Sequence, residues 1–70
     1  MEKIFDLMQT VTEETGVPLD FTVRLNEEGM WVAKVTEDGK TLCDRRGEKY
    51  LMTISDDPED AVERLDQLCA

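Results

Sequence analysis

Leu19-Asp20-Phe21-Thr22-Val23-Arg24-Leu25-Asn26, then Glu27-Glu28-Gly29, then Met30-Trp31-Val32-Ala33-Lys34-Val35-Thr36 read as two strands about a polar break. Leu19, Phe21, Val23 and Leu25 alternate with Asp20, Thr22, Arg24 and Asn26, the period of a strand with one buried face. Asn26-Glu27-Glu28-Gly29 is a hairpin turn, with Gly29 able to take positive φ. After it, Trp31, Ala33 and Val35 share the core face, leaving Met30, Val32 and Lys34 outside. Neighbouring strands joined by so short a turn are antiparallel.

The pattern extends in both directions. Glu37-Asp38-Gly39-Lys40 is a second hairpin, and an Asp-Gly pair is a strong turn signal that calls for a returning strand. A short strand over residues 41–44, a turn at Arg45-Arg46-Gly47 with Gly47 left-handed, and a strand over 49–54 follow. In that last strand Tyr50, Met52 and Ile54 are expected to point inward. Residues 2–15 read as a helix with Ile4, Leu7, Met8 and Val11 on one stripe and Phe5 at its edge. Gly16 closes it, and Pro18 forbids continuation. Residues 57–68 read as a second helix. Asp57 is the N-cap, Pro58 suits the first helical position, and Asp60 stands where a capping box places its acid. Its stripe is Ala61, Val62, Leu65, Leu68 and Cys69. The predicted fold is α+β in the order α-β-β-β-β-α, an antiparallel meander with both helices on one face. If residues 41–47 are loop, the order becomes α-β-β-β-α. Residues 1–70 make one domain.

The chain has 70 residues, with 17 acidic and 8 basic side chains, no histidine and a net charge of −9. A domain this small buries only about 60% of its unfolded surface, which leaves no room for a deep substrate cleft. Without histidine it lacks the commonest general base and metal ligand. Its serine, Ser55, precedes a helix, and its turn glycines form no phosphate loop. No acidic run has the spacing of a calcium loop. Cys43 and Cys69 are expected as buried, reduced thiols, and two cysteines without histidine make no zinc site. A non-catalytic protein with no cofactor and no metal is therefore expected. No apolar run reaches the roughly 18 residues of a membrane span, and the N-terminus lacks a signal-peptide pattern, so a cytoplasmic location is expected. Lys40, Arg45, Arg46 and Lys49 form the one basic cluster. On so acidic a chain it cannot supply much phosphate affinity, so direct nucleic-acid binding is not expected.

A field of this sign attracts basic surfaces, although it also serves solubility or tolerance of salt. In a four-strand meander, the start of the second helix returns to the end of the sheet that holds the Glu37-Asp38 turn. Glu13, Glu14, Asp20, Glu37, Asp38, Asp56, Asp57, Glu59 and Asp60 would then gather at one pole. With three strands the cluster would divide in two. Acids at a helix start are expected in any case, but Glu13 and Glu14 close a helix, where carboxylates are disfavoured. The candidate partner-binding residues are therefore Glu13, Glu14, Glu37, Asp38, Asp56, Asp57, Glu59 and Asp60, and the expected partner is a basic nucleic-acid-binding protein or complex. The second reading is an interaction module, monomer or homodimer, using the uncovered sheet face with Val32, Met30 and Leu51 beside Lys34 and Thr53. A third is a divalent-ion binder.

The order of elements resembles that of a double-stranded RNA-binding domain. That family opens its last helix with lysines, whereas here the stretch is Asp56-Asp57-Pro58-Glu59-Asp60, which contradicts RNA binding. Phe21-Thr22-Val23-Arg24-Leu25 and Trp31-Val32-Ala33-Lys34-Val35 about an acidic Gly turn, then Asp57-Pro58-Glu59-Asp60-Ala61-Val62, are similar to HicB-type antitoxins. The Gly-Cys segment usual between them survives only loosely as Leu42-Cys43, and the first helix is extra. In size, acidity and simple α+β build the chain also resembles small phage-encoded inhibitors, including anti-CRISPR proteins. That resemblance implies binding to basic channels meant for DNA or guide RNA.

Overall fold

A computed structural model describes residues 1–44 and 46–70. Arg45, and with it part of the expected turn and basic cluster, lies outside the described residues. The elements are α1 (Glu2–Thr15), β1 (Asp20–Leu25), β2 (Trp31–Glu37), β3 (Lys40–Thr41), β4 (Met52–Ser55) and α2 (Pro58–Leu68). The fold is α+β, with a four-stranded antiparallel sheet between two helices in the chain.

The turns form for the reasons read in the sequence. Asp38 and Gly39 both have positive φ, 52° and 79°, the conformation a two-residue hairpin requires. In the first turn, Gly29 at φ 82° closes a loop that Asn26 holds from its side chain. The Asn26 Oδ1 accepts from the amides of Glu28 and Met30, each at 2.9 Å.

The strand order departs from a meander. β2 is central, β1 pairs with one of its edges, and β3 and β4 both pair with the other. Thr36 lies opposite Thr41, and Trp31 lies opposite Ser55. β3 and β4 are both antiparallel to β2, so they run the same way, like one strand interrupted by an excursion through residues 43–50. That excursion is a small arm closed by a bridge between Cys43 and Tyr50. The expected reversal between the third and fourth strands is therefore corrected. Two-residue β3 offers little edge to pair with, whereas the rest of β2 offers a full one.

The inward residues of the last strand are corrected by the same register. Leu51 is fully buried, whereas Met52 and Ile54 are 41% and 45% exposed on the far face. Thr53 and Ser55 take the inward positions because they bond to α2. The Thr53 hydroxyl donates to the Ala61 carbonyl, and Ser55 Oγ donates to Asp60 Oδ2 at 2.7 Å. Here alternation of hydrophobicity yields to hydrogen bonding, so a pattern of apolar residues points the wrong way.

Both helices cover one face of the sheet. Ile4, Leu19, Ala33, Val35, Leu51, Ala61 and Leu65 form the buried core, with Leu7, Met8, Val11, Phe21, Val23 and Trp31 packed against it. Gly16 ends α1 at φ 75°, its amide donating to the Thr12 carbonyl. Asp57 caps α2 by accepting from the Glu59 amide at 3.3 Å. The expected capping box does not close: Ser55 Oγ takes the Asp57 amide at 3.3 Å, and Asp60 turns to Ser55 and Arg64. The thiols are free, but Cys43 is exposed rather than buried, because it stands on the outer side of the arm. Cys69 is partly buried, and that burial, with Asp66 nearby, pushes its thiol pKa up.

Asp66 ties the start of α1 to the end of α2. It accepts from the Ile4 amide at 3.0 Å and pairs with the Met1 amino group at 3.1 Å. Desolvation pushes its carboxyl pKa up, but those bonds and the nearby positive charge outweigh it and hold the pKa below the usual value.

Two outcomes follow for stability. Leu51→Ala should cost about 2–5 kcal/mol in chemical denaturation, against about 0.5 kcal/mol for Met52→Ala. An inverted order would mean that β4 has the opposite face inward. A carboxyl whose pKa falls on folding adds stability above its unfolded pKa and loses it as pH drops through the folded one. Asp66→Asn should therefore lower the melting temperature at neutral pH, and the deficit should shrink as pH falls below about 4 and vanish once pH is below the folded pKa. A deficit unchanged at low pH would remove this role for the carboxylate.

Candidate acidic interface

Because β4 runs antiparallel to β2, it delivers the chain to the end of the sheet where β2 begins. Asp56 and Asp57, following Ser55, therefore emerge beside Trp31, at the same end as the Asn26–Met30 turn. That turn presents Glu27 and Glu28, both exposed. The first two turns of α2 add Glu59, Asp60 and Glu63. Glu27, Glu28, Asp56, Asp57, Glu59 and Asp60 thus stand toward one end, with Glu63 one turn further along α2 beside Val23.

The single acidic pole expected from a meander divides. Glu13, Glu14, Glu37 and Asp38, with Asp20, stay at the opposite end, because Asp20 pairs with Thr36 and the Glu37-Asp38 turn follows directly. Of the eight predicted residues, Asp56, Asp57, Glu59 and Asp60 lie together and the other four lie apart from them. Glu27, Glu28 and Glu63 were missed. Finding them needed the direction of β4, which depends on how the arm closes.

The seven acids differ in how they are held. Asp57 and Asp60 are engaged in capping α2 and in the Ser55 and Arg64 contacts, the latter at 3.0 Å from Arg64 Nε. Ser55 Oγ also lies 3.5 Å from Asp56 Oδ1. Among the described residues, Glu27, Glu28, Glu59 and Glu63 have no hydrogen bond or ion pair from their carboxylates. The positive end of α2 favours Glu59 and Asp60 where they stand.

Apart from Arg64 in α2 and Arg24 on β1 next to the turn, the described cations lie away from this end. Lys3, Arg46 and Lys49 line a groove between α1 and the arm, together with Asp6, Asp44 and Glu48, which nearly balance them. The Asp44 carboxylate accepts from the Glu48 amide at 3.0 Å, which chiefly holds its pKa below the usual value. On the outer sheet face, Val32 stands between Arg24 and Ile54 across the strands, and Lys34 between Thr22 and Met52. The apolar members of that face are therefore Val32, Met52 and Ile54, not Leu51, which is buried, and Thr53 also faces inward. Among the described residues, no group of three or more acidic, cysteine or histidine side chains is placed to hold a metal ion. No helix of the described residues is long and apolar enough to cross a membrane.

Repulsion at the acidic end would show itself in stability. The double variant Glu27→Gln/Glu28→Gln should raise stability by roughly 0.2–1 kcal/mol at about 0.01 M salt, and the gain should disappear near 0.5 M, where the Debye length falls to a few Å. A gain that persisted at high salt would have a cause other than charge. Comparison with protein-family models, curated proteins and solved structures finds no match to this chain, so its charge and geometry carry the functional reading.

Proposed function

We propose that this chain is a non-catalytic binding protein whose acidic end occupies a basic, nucleic-acid-binding surface of a partner protein and blocks it. The observation that carries this reading is the gathering of Glu27, Glu28, Asp56, Asp57, Glu59 and Asp60 toward one end of the sheet, with Glu63 one turn further along α2 and Arg64 as the cation paired there among the described residues. Carboxylates at this end stand in for phosphates, and opposed fields speed the encounter. The net charge of −9 keeps the chain itself from competing for nucleic acid.

A second reading has its own observation. Val32, Met52 and Ile54 form an apolar patch on the sheet face that no helix covers, as an interaction module would need. One experiment separates the two. The tagged protein captures partners from lysate at about 0.05 and 0.5 M salt, with and without added duplex DNA or RNA. The acidic-end reading expects a basic partner that is released by high salt and by nucleic acid. It also expects that partner to be lost on Glu27→Lys/Glu28→Lys/Glu59→Lys, which spares the capping residues, and kept on Glu13→Lys/Glu14→Lys at the far end. Capture indifferent to the triple reversal would overturn it. Capture that withstands high salt and is lost on Met52→Glu/Ile54→Glu would establish the second reading.

A further inference from the structure

β1 is an edge strand whose pattern is complementary to itself. It pairs with β2 over Asp20–Leu25 in unbroken register, with no bulge. No strand pairs with its other edge among the described residues. The Asn26 amide donates to the Met30 carbonyl at 2.8 Å, and this sets the phase of the ladder. Even-numbered residues of β1 turn their amides and carbonyls toward β2. Phe21, Val23 and Leu25 turn theirs off the sheet. Such a row of donors and acceptors is a template for another strand, and edges are commonly blunted by proline, bulges or charged side chains. β1 has neither proline nor bulge, and its two charges, Asp20 and Arg24, are opposite in sign.

We propose that the occupant is β1 of a second copy, laid antiparallel about a two-fold axis through Thr22. In this register Phe21 lies opposite Val23 of the second copy as a hydrogen-bonded pair, which the outward amides of both residues allow. Asp20 lies opposite Arg24, and by symmetry Arg24 lies opposite Asp20, so both ends of the joint carry an ion pair on the outer face. Thr22 meets its own equivalent at the centre, a favourable cross-strand pair. Its Oγ1 is buried and has no hydrogen-bond partner within the chain. The axis is perpendicular to the sheet, so the helices of both copies lie on one side. Phe5, Met1 and Leu25 are large apolar residues left open on or beside β1. Phe5, 51% exposed, packs edge-on against Phe21 at 6.2 Å between ring centres. Met1, 52% exposed, lines a groove with Val23, and Leu25 is 57% exposed. The pairing would join two three-strand-wide sheets into one continuous sheet.

The test is charge exchange, read by sedimentation equilibrium at about 0.15 M salt, where the Debye length of about 8 Å screens the net charge of the two bodies. The native chain should form dimers as concentration rises. Asp20→Arg places two cations along the edge, and Arg24→Asp places two anions. Each should weaken self-association about tenfold or more, since like charges then oppose each other at both ends. An equimolar mixture of the two variants should recover it, because cations then face anions at both positions. The double variant Asp20→Arg/Arg24→Asp should recover it too. Both positions are exposed, and circular dichroism of each variant verifies that the fold persists. A native chain that stays monomeric to millimolar concentration overturns the proposal. So does a dimer indifferent to either single reversal, or a mixture that fails to associate.

Discussion

Three backbone hydrogen bonds meeting at Val35, Leu42 and Leu51 decide the architecture. The Val35 amide donates to the Leu51 carbonyl at 3.0 Å, the Leu42 amide to the Val35 carbonyl at 2.9 Å, and the Leu51 amide to the Leu42 carbonyl at 2.8 Å. Together they close the neck of the arm and return the chain to the edge of β2 that it had just left. The direction of β4 follows from this closure, and so does the end of the sheet at which α2 begins. Leu51, buried at the same point, supplies the apolar free energy that holds the neck shut. A side chain of its size contributes about 1.5–3 kcal/mol on burial. The peptide groups it brings with it would otherwise be buried without partners.

Local chemistry was legible in the sequence wherever one residue type has one conformational use. The Asp38-Gly39 turn, the Gly16 helix end, the Asp57 cap and the stripes of both helices all lie where residue pattern places them. The hairpin of β1 and β2 has the predicted faces, because Phe21, Val23, Ala33 and Val35 alternate without competition. What was not legible was a choice between two partners for β4. β3 and the open edge of β2 offer the same kind of hydrogen bonds. Only the three-dimensional closure at Leu42 and Leu51 selects between them. The face of β4 was misread because Thr53 and Ser55, polar by type, spend their hydroxyls inside on Ala61 and Asp60. The position of the acidic residues inherited that error. Half of the predicted group moved to the opposite end of the sheet from the rest, and Glu27, Glu28 and Glu63 replaced it.

Four aspartates and four glutamates of this chain differ in how their carboxylates are used. Asp44, Asp57, Asp60 and Asp66 each accept a hydrogen bond that fixes a turn, a cap or the junction of the helices. A carboxylate one methylene from the backbone reaches nearby amides easily, which is why aspartate recurs in turns and caps. Glu27, Glu28, Glu59 and Glu63 stand one carbon further out and make no such bond among the described residues. At this end Asp57 and Asp60 therefore act chiefly within the chain, and Glu27, Glu28, Glu59 and Glu63 are the groups with charge left to offer a partner. Since that charge is carried by side chains without internal duties, it can be reversed without unmaking the fold. Binding and stability are thus separable at this end of the molecule, which is the condition under which a charge-reversal experiment reports on binding alone.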